Sequence, residues 1–209
     1  MPTAFLKHEA LFTRAFTQAI ISWNNAEWAA QRILSGFVHG SIGSSVVLQH
    51  LKSVALQDAL TAIADLLTDP QTPSSTEVAE HVLHFVEGFD RLRVYRNFYV
   101  HSVKGLIRSE ANPDECVGMI YETEAKKKLA WINHRLTYDE LISFLANVRE
   151  LGGYGDQLAL YLTPSKSLAA LFRPKQPLSS LEKPIWPETL KKTRTYPSKL
   201  PPPQEPSQA

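Results

Sequence analysis

Cysteine is nearly missing from this 209-residue chain, where Cys116 stands alone. One thiol excludes an intrachain disulfide and fits a reducing, cytoplasmic setting. Long apolar runs are missing too: no segment approaches the roughly 18 uninterrupted apolar residues of a membrane span. The first residues, Met1 to Glu9, lack the basic stretch followed by an apolar one that marks a secretory leader. Charge of one sign is not in excess. Lys and Arg number 22 and Asp and Glu 21, a net +1 that fits neither a coat for nucleic acid nor an acidic tail. No internal repeat is visible, and the glycine-rich loop at 40–45 lacks the lysine of a phosphate-binding P-loop. What remains is 44% hydrophobic residues, enough for one domain with a real core.

The near-neutral total conceals an asymmetry. Residues 164–209 carry eight Lys/Arg against three Asp/Glu, and residues 1–163 carry fourteen against eighteen, net charges of +5 and −4. Ten of the fourteen prolines also fall at or after Pro164. The chain therefore divides into a folded body over 1–163 and a basic, proline-rich, mostly disordered tail over 164–209. Within that tail, Trp186 in Lys183-Pro184-Ile185-Trp186-Pro187 is the residue expected to dock on the body.

Helical periodicity dominates the body. Phe12, Phe16, Ala19, Trp23, Ala26, Ala30, Ile33, Leu34 and Phe37 share one face, which predicts a long amphipathic helix ending near the glycines after His39. A second helix is expected behind a cap at Ser44 or Ser45, with Val47, Leu51, Val54, Ala55, Ala62, Ile63 and Leu66 inward. A third starts at Thr76 and carries Val78, Val82, Phe85, Phe89, Leu92, Tyr99, Val103 and Ile107. Two short β-rich stretches, Cys116 to Glu122 and Lys128 to Arg135, predict a β-hairpin over about 116–135. A last helix opens at Thr137 with Leu141, Leu145, Val148 and Leu151 inward, and Gly152-Gly153 should break or kink it. The expected fold is mainly α, a four- to five-helix bundle with a late hairpin insertion.

One constellation departs from this pattern. Arg96 falls in the middle of the third helix's apolar stripe, and Arg93, Asn97 and His101 line the flank beside it at steps of four. A guanidinium in an apolar stripe must be paired, reach solvent in a cleft or face a second molecule, because an unpaired buried charge is very costly. Glu27 lies at the edge of the first helix's apolar face and is the natural partner for Arg96 or Arg93. Such a pair would be architecture, holding two helices in register. The other reading is an anion site.

Arg96-Asn97-Phe98-Tyr99-Val100-His101 resembles the signature of the HEPN superfamily (higher eukaryotes and prokaryotes nucleotide-binding): an Arg, a polar residue, then a His. Four residues separate Arg96 from His101, the short end of the family's range. The resemblance covers the helical body and leaves out the hairpin and the tail. It implies a helical bundle with the signature on a late helix. It also implies a metal-independent endoribonuclease that works as a homodimer, the two signature helices forming a shared cleft. Many such proteins are toxins or phage-defence effectors, and an antitoxin or regulatory protein partner is then expected. Others have lost activity and serve as dimerisation or binding modules for RNA or protein, the alternative reading for this chain.

The chemistry suits the residues. RNA carries its own nucleophile, the 2′-hydroxyl, so no serine, cysteine, cofactor or metal is required. Imidazole is the side chain that exchanges protons near neutral pH, the task of His101. Arg96 brings a permanent charge matched to phosphate oxygens, and Asn97 orients one or the other. Arg93 would add substrate affinity. Lys126, Lys127 and Lys128, with Trp131 and His134 behind them, would let the hairpin grip RNA by charge and stacking. His81 and His84, with Glu77 and Glu80 each four residues before, have the spacing of a metal site but more often form a polar helix edge.

Overall fold

In a computed structural model, the chain is described over residues 3–38, 48, 50–68, 76–124, 130–162 and 178–192, without the side chains of 122–131. Among the described residues it forms four α-helices and a small three-stranded antiparallel sheet late in the chain. The elements are α1 (Ala4–Phe37), α2 (Ser53–Leu67), α3 (Thr76–Ser102), β1 (Val103–Arg108), β2 (Cys116–Glu124), β3 (Ala130–Leu136) and α4 (Tyr138–Leu162). None of the described helices is long and apolar enough to cross a membrane.

Helix α1 is capped by Thr3, whose hydroxyl accepts from Leu6 N at 3.4 Å. Its buried face runs Phe12, Ala15, Ala19, Trp23, Ala26, Ala30, Ile33 and Leu34, close to the expected stripe. Helix α4 packs along α1. Helix α4 opens on a capping box: Glu140 N donates to Thr137 Oγ1 at 3.2 Å, and Glu140 Oε2 accepts from Thr137 N at 2.8 Å.

Contrary to expectation, Gly152-Gly153 does not interrupt α4, which runs unbroken to Leu162. The packing of α1 and α4 outweighs the glycines' weak helix propensity. Gly152 and Gly155 leave room for the neighbouring helices to close up. A Cβ on Gly155 would sit 2.5 Å from Phe85 Cε2 and 3.0 Å from Ala29 Cβ, whereas one on Gly153 would meet nothing within 4 Å.

Helix α2 buries Leu56, Leu60 and Ala64 against α1 and α3. Val54 and Leu66, assigned inward from periodicity, are exposed. Apolar residues occupy more than half of this helix's circumference, so the stripe could be drawn on either side. Ser44 and Ser45 lie outside the described residues.

Helix α3 stops at Ser102, and the residues read as its last turn form β1 instead. Val103 and Ile107 are four apart, which suits one helix face and one strand face equally. Gly105 between them disfavours the helix. The expected hairpin is real and forms two of three strands, in the order β1-β2-β3, with Ile107 opposite Val117 and Ile120 opposite His134. Cys116, Ile120, Ile132 and Leu136 face the core. Because β1 follows α3 directly, the sheet clamps the end of the helix that carries His101.

The tail is structured where it is described. Residues 178–192 open with a 3-10 turn at Leu178–Ser180 and then continue beside α3 without regular secondary structure. Lys183 Nζ meets Glu80 at 3.3 Å, and the Pro184 carbonyl accepts from His84 Nε2 at 2.8 Å. Further along, the Pro187 carbonyl accepts from Arg91 Nη1 at 2.9 Å and the Glu188 carbonyl from Tyr95 OH at 3.0 Å. Trp186 docks as expected. It is 7% exposed, its indole N–H donates to the His84 carbonyl at 2.8 Å, and its ring occupies the space a Cβ on Gly88 would need.

Beneath the tail, His81 is buried with Nδ1 2.7 Å from the Tyr154 hydroxyl. Burial, with Lys183 adding to it, holds the His81 imidazole below its ordinary pKa.

Two predictions follow from this packing. Gly155→Ala should cost about 1–3 kcal/mol by overpacking against Phe85, while Gly153→Ala should raise stability by up to about 1 kcal/mol; urea melts of both variants compare them. For His81, the unfolded chain takes up the proton first, so stability is full above pH 6.5, the group's ordinary value, and falls as pH drops below it. The urea midpoint should decline between pH 7.5 and 5.5, with a smaller decline in His81→Gln.

Candidate functional site

The signature residues occupy the last two turns of α3, where the bundle gives way to the sheet. Five residues of helix turn Arg96 and His101 about 140° apart, so only a long side chain bent around the helix can join them. Arg96 does so. Its Nη1 donates to His101 Nε2 at 2.6 Å and to Asn97 Oδ1 at 3.0 Å. Arg96 is half-buried, and Asn97 and His101 are exposed. The three expected catalytic side chains are therefore one connected group open to solvent.

The bond has a direction. Guanidinium N–H groups only donate, so Nε2 of His101 must be the accepting nitrogen and the ring proton sits on Nδ1. This tautomer is neutral, with its basic nitrogen aimed at the cation. Among the described residues no carboxylate forms a salt bridge with Arg96.

The expected pairing of Glu27 with an arginine of α3 does not occur. Glu27 Oε1 accepts from the hydroxyl of Ser53, the first residue of α2. That partner was hidden because α2 begins later than periodicity placed it. Arg93 is held by Asp90 one turn earlier, Nη2 to Oδ1 2.6 Å, and is half-buried. It flanks the site but spends its charge locally. Lys126, Lys127 and Lys128 lie outside the described residues, as does the side chain of Trp131. His134 meets Glu140 at 3.2 Å and lies against Phe98, ring centroids 5.6 Å apart. Burial works against Glu140, yet its bonds to His134 and Thr137 hold its carboxyl below the ordinary value.

His81 and His84 do not converge. The first turns to Tyr154, and the second stacks on Trp186 with centroids 5.1 Å apart. Among the described residues no group of three His, Cys, Asp or Glu side chains is placed to hold a metal ion.

Sequence reasoning missed the path of the tail's described part, which reaches a point close to the signature. Lys192 Nζ lies 4.5 Å from the centroid of Phe98, three residues before His101. The available signal was Gly88, a glycine in mid-helix where alanine would be favoured by about 1 kcal/mol. It forms the notch for Trp186.

Compared with known proteins, the chain matches no family model, no curated protein and no solved structure. Its functional reading rests on the residues themselves.

Proposed function

We propose that this chain is a HEPN-like, metal-independent endoribonuclease with a composite site formed by two copies, of the kind found among toxins and phage-defence effectors. The observation that carries the reading is the 2.6 Å contact between Arg96 and His101, made in the open and without a salt-bridging carboxylate. Among the described residues this arginine is bonded only to neutral acceptors, as Arg108 and Arg149 are, but here one acceptor is an imidazole, so an uncompensated charge and a proton carrier stand together.

The chemistry follows from that geometry. A phosphodiester that engages the Arg96 guanidinium draws it away from Nε2 of His101 and frees that lone pair. Nε2 then takes the proton of the 2′-hydroxyl while the 2′-oxygen attacks phosphorus. The new 2′-O–P bond forms as the P–O5′ bond breaks. The departing 5′-oxygen then takes, through a water molecule, the proton that His101 has just received, so the imidazole returns to its neutral state. Arg96 stabilises the charge on the phosphorane-like transition state, and Asn97 fixes the guanidinium in place. The products are a 2′,3′-cyclic phosphate and a 5′-hydroxyl.

Purified full-length protein incubated with mixed RNA in EDTA should cleave it, and His101→Ala should lower the rate at least about 100-fold with an unchanged circular dichroism spectrum. Absence of cleavage at high protein concentration, or cleavage that survives His101→Ala, would favour a non-catalytic helical module. Sedimentation of the full chain at micromolar concentration should show a dimer. A monomer alone would count against a shared cleft.

A further inference from the structure

Between α3, the start of α4 and the tail lies a cavity of about 400 Å³, near the lower end of the roughly 300–1,000 Å³ of small-molecule sites. Tyr95 and Tyr99 of α3 and Phe144 of α4 line it, with Pro187 and Leu190 of the tail on another side. The three rings support one another. Ring centroids of Tyr95 and Tyr99 are 5.7 Å apart, those of Tyr95 and Phe144 6.4 Å, and Tyr99 meets Phe144 edge to face at 5.4 Å.

One polar atom here is not explained by the fold. Tyr99 is 3% exposed, and a hydroxyl on a side chain so buried calls for a partner. Tyr95 and Tyr154 have theirs: the first donates to the Glu188 carbonyl at 3.0 Å, and the second lies 2.7 Å from His81 Nδ1. The Tyr99 hydroxyl makes no hydrogen bond to a described residue, and it is not among the unpartnered polar atoms sealed from solvent. What remains open of this side chain is therefore its hydroxyl, and it opens on the cavity that Tyr99 lines. Burial, then the charges of Glu140 and Tyr95, push its pKa up, so it stays a neutral phenol.

Charge decides what satisfies it. Asp139 and Glu140, in the first turn of α4, line the cavity, and no described Lys, Arg or His does. Glu140 stays ionised through its bonds to His134 and Thr137. Asp139 is exposed and forms no salt bridge with a described residue. Two carboxylates outweigh the roughly +0.5 charge of the helix N-terminus, so this wall repels anions. Aromatic faces add their own preference for a cation.

We propose that this cavity binds a small organic cation with a flat apolar body, its charged nitrogen drawn by Asp139 and Glu140 and one N–H donated to the Tyr99 hydroxyl oxygen. The site is separate from Arg96 and His101, and it does not depend on the ribonuclease reading.

The test uses the full chain and isothermal titration calorimetry with two probes of similar shape and opposite charge, tryptamine and indole-3-acetate. Tryptamine should bind saturably, one per chain, and indole-3-acetate at least about tenfold more weakly. Asp139→Asn should weaken tryptamine about fivefold and flatten its dependence on salt. Tyr99→Phe should also weaken it about fivefold while leaving the urea midpoint unchanged or higher, because the hydroxyl has no protein partner to lose. Asp114→Asn, in the turn between β1 and β2, should change nothing. Absence of saturable tryptamine binding, equal affinity for the two probes, or full affinity in either Asp139→Asn or Tyr99→Phe would overturn the proposal. So would a lower urea midpoint in Tyr99→Phe, which would assign the hydroxyl to the fold. No arm reads RNA cleavage, so the ribonuclease reading stands or falls separately.

Discussion

The contact between one guanidinium and one imidazole organises what can be said about this molecule. Arg96 and His101 point in different directions from α3, and a side chain long enough to fold around the helix brings them within 2.6 Å. The arrangement holds because β1 begins one residue after α3 ends and pairs at once with β2. A frayed helix terminus would let the imidazole swing away. The sheet, small as it is, prevents that by tying the last turn of α3 to a three-stranded layer whose inner face is buried against the helices.

Charge is what sets the pair apart from a packing contact in the proposed reading. Several arginines are matched by acids, Arg32 with Asp156 at 3.0 Å, Arg93 with Asp90 and Arg135 with Glu110, while Arg108 and Arg149 donate to neutral oxygens. Arg93, beside the signature, is neutralised by Asp90, whereas among the described residues Arg96 is bonded only to neutral groups. A cation kept in that state has its solvation reduced and its charge uncompensated, which favours binding an anion.

Much of this was legible in the sequence, for physical reasons that differ from element to element. Helix α1 was readable because its buried residues recur at helical spacing from Phe12 to Leu34, long enough to average out ambiguity. The triad of Arg96, Asn97 and His101 was readable because a cation interrupts an apolar stripe. The switch from α3 to β1 was hidden, since Val103 and Ile107 satisfy both periods. The orientation of α2 was hidden by its abundance of apolar residues. Gly152-Gly153 misled because local propensity is a weak force against a partner helix packed alongside. The Glu27–Ser53 bond and the Trp186–Gly88 notch join residues 26 and 98 positions apart. Such long-range pairings leave no periodic trace.

The most direct test of the central claim offers the full chain, in metal-free buffer, an RNA oligonucleotide and the same oligonucleotide 2′-O-methylated at every ribose. Product ends are then read by mass spectrometry. An Arg96–His101 site that borrows its nucleophile from the substrate cleaves only the first and leaves a 2′,3′-cyclic phosphate. Cleavage of both, or of neither, contradicts it.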